Sequence, residues 1–116
     1  MGKVAQALSG LAAAVAANPR AQRAAETWSA VVQFEVAGER QPLHLIVSQG
    51  KLTAGEGQHV KPDFVVAGQG TALIRVLSGE VDITHPIAQG DLRVVRGSYI
   101  ELINLSRIAL AARARR

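Results

Sequence analysis

The chain has no cysteine among its 116 residues. That excludes disulfides, thiolate metal sites and cysteine nucleophiles together, and it suits a reducing compartment such as the cytoplasm. Aromatic residues are almost as scarce: Trp28, Phe34, Phe64 and Tyr99 are the full set. Single-strand nucleic-acid binders use several exposed rings as stacking platforms, so no nucleic-acid partner is expected. No apolar run is long enough to span a bilayer. Behind Lys3 an alanine-rich stretch is interrupted by Gln6, Ser9 and Gly10, which argues against a secretory signal. Gln6 also stands where myristoylation prefers Ser or Thr. Acidic residues are outnumbered, 9 Asp+Glu against 13 Lys+Arg, for a formal charge of +4. The excess crowds the C-terminus as Arg107, Arg113, Arg115 and Arg116, with only Glu101 nearby. Such an end reads as a solvated tail or as a contact for anionic lipid.

What is present is apolar patterning. Val4, Leu8, Leu11 and Val15 recur at helical spacing over 3–17, and Asn18-Pro19 stops that helix. Over 27–36, Trp28, Ala30, Val32, Phe34 and Val36 alternate with Ser29, Gln33 and Glu35, the mark of a half-buried strand. A turn at 37–40 leads to a strand at 43–48, with Leu43, Leu45 and Val47 on one face. Gln49-Gly50 turns the chain into a short third strand, 51–54, completing an antiparallel meander. A loop holding Gly55, Gly57 and Lys61-Pro62 precedes a fourth strand, 63–67. A short helix over 71–78 buries Leu73, Ile74 and Leu77, and Gly79 follows as its C-terminal cap. A helical turn from Thr84 carries Pro86 and closes at Gly90; a fifth strand follows with Leu92 and Val94 inward. The last helix runs 99–113. At ~100° per residue, Leu102, Ile103, Leu105, Ala109 and Leu110 share its core face, opposite Glu101, Asn104 and Arg107. Ile100 and Ile108 fall among those polar residues. A helix apolar over most of its circumference is wedged against a subunit partner, roofs an apolar cavity, or touches a membrane.

The stretch FVVAGQGTALIRVL, 64–77, is the one place that suggests catalytic or cofactor chemistry. Strand, glycine turn and helix in succession open a dinucleotide-binding unit. The third glycine is missing, however, with Leu73 in its place, and the next strand ends at Arg96 rather than an acid. Gly68 and Gly70 are therefore expected to supply unusual φ values in a sharp turn, not to cradle phosphate. His44, His59 and His85 lack metal-ligand spacing. Ser98 has no nucleophile-elbow context, and Glu80 and Asp82 read as solvated loop residues. No enzyme, cofactor or metal is expected. The expectation is one domain over 1–116, α+β, in which a curved, mostly antiparallel five-stranded sheet carries helices on one face.

The order of elements, and above all GEVDITHPIAQGDLRVVRGSYIELINL at 79–105, resembles the sterol carrier protein type-2 domain in its bacterial stand-alone form. Gly79, Pro86, Ala88, Gly90, Leu92, Val94, Gly97 and Leu102 occupy the family's typical places. His85 replaces a frequent aspartate and Asp91 a common lysine, and the chain closes on Ala114-Arg115-Arg116 rather than a peroxisomal ending. The resemblance implies an apolar tunnel between sheet and helices that binds sterols, acyl chains, phospholipids or polyprenyl compounds. Leu45, Val47, Phe64, Val66, Ile74, Leu77, Val94, Ile100 and Ile103 would line it. It implies a non-enzymatic carrier of a hydrophobic small molecule, with transient membrane contact through Arg107, Arg113, Arg115 and Arg116. The alternative is an accessory interaction module with a filled core, for example in quinone or lipid biosynthesis, and with a homodimer as one arrangement.

Overall fold

Each apolar stripe finds a partner surface in the computed structural model, which describes residues 2–58 and 61–113. Helix α1 (Lys3–Ala16) buries Val4, Leu8, Leu11 and Val15, the stripe read from the sequence. Asn18-Pro19 does end it. The same pair also starts a helix that the sequence reading lacked, α2 (Pro19–Glu26). The Asn18 side-chain oxygen accepts from the backbone N–H groups of Arg20 and Ala21 at 3.0 and 3.4 Å. Proline fits the first turn, where its missing N–H has no helical partner to lose.

Strands β1 (Ala30–Val36), β2 (Leu43–Ser48) and β3 (Lys51–Glu56) form the expected meander. Two boundaries differ. β1 starts at Ala30, three residues after the expected start, and β3 runs on through Gly55 and Glu56, where the sequence pattern predicts a loop. Then come β4 (Phe64–Gly68), α3 (Gly70–Leu77), α4 (Thr84–Gln89), β5 (Leu92–Arg96) and α5 (Ile103–Arg113). The sheet order is β3-β2-β1-β4-β5. It is mixed: β1 pairs parallel with β4, and the other pairings are antiparallel. The register lines up Leu45, Val32 and Phe64 in one row, and Leu43, Phe34, Val66 and Val94 in the next. These rows face the helices. Phe34, Val32, Leu45 and Val66 are fully buried there, each contributing about 1.5–3 kcal/mol of transfer free energy.

The helices lie on that one face. α1 packs on β3 and α3, while α2 and α3 both pack on α5. On α3 the buried residues are Leu73, Val76 and Leu77; Ile74, expected inside, is only half-buried. The glycine turn before α3 also differs in detail. Gly68 has φ +150°, and a Cβ there would collide with the Asp91 carbonyl. Gly70 has no unusual φ. Its reason is space: a Cβ would sit 3.2 Å from a Val4 methyl and 3.3 Å from a Val36 methyl.

The last helix is the larger correction. Residues 98–105 are wound with successive hydrogen bonds from N–H(i) to C=O(i−3), and α5 proper begins at Ile103, not Tyr99. The tighter winding turns ~120° per residue rather than ~100°. Leu102, Leu105, Ile108, Ala109 and Ala112 are buried. Ile108, read as outward, points into the core, and Leu110, read as inward, is 58% exposed.

Candidate apolar binding site

The inner face of the sheet and the underside of α3 and α5 hold the residues expected to contact a ligand, in three different settings. Leu45, Val47, Phe64, Val66 and Leu77 belong to the packed core, with Phe64 set 5.6 Å from Trp28 between ring centroids. Ile74 and Leu77 together line a groove of about 190 Å³ between α1, α3 and α5. Ala7, Leu11, Ala14, Ala109 and Ala112 continue its walls, with Gly10, Ser78 and Arg113 at the same space. The small side chains of Ala7, Gly10, Ala14, Ala109 and Ala112 leave this space, because they offer little to interdigitate between the helices. Val94, Ile100 and Ile103 sit at the other end of the layer, around the β5–α5 junction. Val94 and Ile103 are half-buried there and Ile100 is 63% exposed. The structure thus brings Ile74 and Leu77 into one groove and distributes the remainder between the core and its edge. Of the wall residues, Ala109 was expected on the core face of the last helix but not at a site, and Ala112 carried no expectation, because alanine gives almost no periodic signal.

A second concavity, about 670 Å³, lies on the sheet face turned away from the helices. Gln33, Glu35, Glu39, Arg40, Asp91 and Arg93 line it, at the carboxyl ends of β1 and β4. Gln33 is buried and donates to Glu35 at 3.3 Å. This cleft is polar and carries charges of both signs, so it does not suit a greasy ligand. Nothing in the sequence pointed to it.

The other chemical candidates have structural duties. Asp82 accepts from the Thr84 backbone N–H and hydroxyl at 2.9 and 2.8 Å, fixing the start of α4. Glu80 pairs with Arg75 at 3.0 Å on the surface. The His44 ring bonds the Gly57 carbonyl at 3.0 Å, tying down the end of β3. His59, Arg115 and Arg116 lie outside the described residues. Among the described residues no group of His, Asp and Glu could hold a metal ion, and no helix is long and apolar enough to cross a membrane.

A mixed five-stranded sheet with an apolar inner face roofed by helices defines an α+β fold built around a greasy interior. Residues 10–106 match the profile of the SCP-2 sterol transfer family, and the chain belongs to that family. Solved structures share the fold. "UbiJ-SCP2 Ubiquinone synthesis protein" has a TM-score of 0.74 and 22% identity, covering 90% of this chain and 86% of that one. A crystal structure of sterol carrier protein 2 has a TM-score of 0.66 and 20% identity, covering 97% and 95%. The palmitated SCP2L2 from Aedes aegypti has a TM-score of 0.63 and 16% identity, covering 94% and 95%. A search of curated proteins finds no match.

Proposed function

We propose that this chain, one domain over residues 1–116, is a non-enzymatic carrier of a hydrophobic small molecule acting in the cytoplasm. Membership of the SCP-2 sterol transfer family is the observation that carries this reading. The ligand would lie between the sheet and α5, against Phe64, Val66, Leu45 and Val47, with Ile74 and Leu77 on one side and Val94, Ile100 and Ile103 on the other. Affinity would come from apolar area removed from water, about 25 cal/mol per Å². Ligand selection would therefore depend on length and girth more than on polar groups. An acyl or polyprenyl chain fits this lining. Membrane contact through α5 belongs to the same reading: its outward stripe carries Arg107, Leu110 and Arg113, and no acidic residue lies between Ile103 and Arg113. Titrating the protein with palmitate and with a short polyprenyl alcohol, read by Trp28 fluorescence, tests the proposal. Saturable binding supports it, and the absence of any saturable change with both probes would sink it.

A second reading is an accessory module for quinone or lipid biosynthesis that docks on another protein or on itself and transports nothing. One observation favours it: Leu45, Val66, Leu102 and Leu105 fill the layer between sheet and α5 with no measurable exposure. Sedimentation over a concentration series, with and without fatty acid, separates the two readings.

A further inference from the structure

The carrier reading requires a way into a layer that is packed shut, and the hydrogen bonds of α5 show where it opens. Two polar side chains buried in the helical layer both tie α5 to another element. The Asn18 side-chain amide donates to the Ala111 carbonyl at 3.2 Å, joining α2 to α5. The Ser106 hydroxyl accepts from the Ile83 backbone N–H at 2.8 Å, joining α5 to the start of α4. Both latches lie at or beyond residue 106. Opening such a bond leaves buried polar groups with a partner lost, so these positions resist displacement.

The stretch before Ser106 is held differently. Residues 98–105 use successive i to i−3 bonds, whose geometry is poorer than that of the α-helical ladder that follows. Tyr99 is half exposed and Ile100 is 63% exposed, and no side-chain hydrogen bond from this stretch reaches another element among the described residues. Two of its side chains, Leu102 and Leu105, are nonetheless fully buried in the core, and β5, the strand that leads into this stretch, is an edge strand. Val94, Ile100 and Ile103, the half-buried or exposed members of the candidate set outside the groove, all lie at this junction.

We infer that residues 98–105 form a hinged lip. It swings away from β5 to admit an apolar ligand, with Leu102 and Leu105 leaving the space that the ligand fills, while α5 from Ser106 onward stays latched to α2 and α4. This rests on the carrier reading for its ligand but not for its motion. Local opening of this kind draws on the least stable part of a fold.

The test compares two substitutions at equally buried positions of the helix, Leu102→Ala in the lip and Ile108→Ala beyond the latch. Uptake of cis-parinaric acid, a fluorescent fatty acid, is followed by stopped flow on the full chain. Leu102→Ala speeds uptake about 10-fold, because the closed state loses a plug, whereas Ile108→Ala changes it less than about 2-fold. Equal acceleration by both substitutions, or by neither, overturns the proposal. Amide hydrogen exchange on the unsubstituted protein adds an arm that needs no ligand. Ile103, Asn104 and Leu105 amides exchange through a local opening, at least about 10-fold faster than those of Ile108 to Ala112. Equal protection across the two segments overturns the lip whatever the ligand. If no fatty acid is taken up by any of the three proteins, the carrier reading fails and the exchange comparison alone decides the lip.

Discussion

The side-chain amide of Asn18 reaches the backbone carbonyl of Ala111, 3.2 Å away and 93 positions later in the chain. The other end of the same side chain caps α2. One buried residue therefore starts a helix near the N-terminus and pins the last helix of the described chain. Replacing it removes a cap, worth about 1 kcal/mol, and a buried hydrogen bond, worth about as much again. Asn18→Ala should destabilise by about 2 kcal/mol in urea unfolding. Asn18→Ser, which keeps the capping oxygen but not the reach to Ala111, should lose about half of that.

Gly79 binds α3 to α5 by the absence of a side chain. Its φ is +78°, and a Cβ would lie 2.7 Å from the Ala109 carbonyl oxygen and 3.1 Å from the Arg113 Cβ. Gly38 has a similar φ of +83° with nothing within 4 Å. Gly38→Ala should cost only the left-handed backbone term, about 1 kcal/mol, and Gly79→Ala about 2 kcal/mol more because α5 must shift. Equal midpoints for the two variants would show that α5 does not rest on Gly79 as described.

Trp28 is the only tryptophan, is 7% exposed and lies against Phe64. Its emission should be blue-shifted in the folded protein and should report ligand at the neighbouring inner face. Phe64→Leu should weaken fatty-acid binding several-fold, at a stability cost of about 1 kcal/mol. An unchanged affinity would move the ligand away from the sheet.

The outward stripe of α5 should bind vesicles containing phosphatidylglycerol and leave neutral phosphatidylcholine vesicles free. Leu110→Ser and Arg107→Glu each reduce co-sedimentation, and raised salt does so for the parent protein, since exposed charge contacts are screened beyond about 10 Å at 0.1 M. Both substitutions are at exposed positions, so unfolding should not confuse the result. Binding that ignores both changes would place the contact elsewhere.

Much of this fold could be read from local pattern, and the failures have physical causes. The alternation around Phe34 and the Leu43, Leu45, Val47 face gave the meander its strands and its inner face. The parallel pairing of β1 with β4 was not legible, because residues 32 and 64 meet through a connection whose path leaves no local mark. α2 was missed because PRAQRAAE has few apolar residues and a proline that was read only as a stop. Ile108 and Leu110 were exchanged between inside and outside because the expected core face was centred on Leu102 and Ile103, whereas α5 turns the arc of Leu105, Ile108, Ala109 and Ala112 inward. For the binding site, the sequence offered apolar residues without saying which share a space. Ile74 and Leu77 meet in one groove, whose walls include alanines that carry no signal of their own.

The central claim is that this protein carries a hydrophobic small molecule. Native mass spectrometry of the full chain, purified from its host without detergent, tests it most directly. The account predicts a population one ligand heavier than the bare chain, whose added mass dissociates as an apolar molecule and is replaced by palmitate or a polyprenyl probe. Protein that is uniformly empty, and that takes up neither probe, would contradict it.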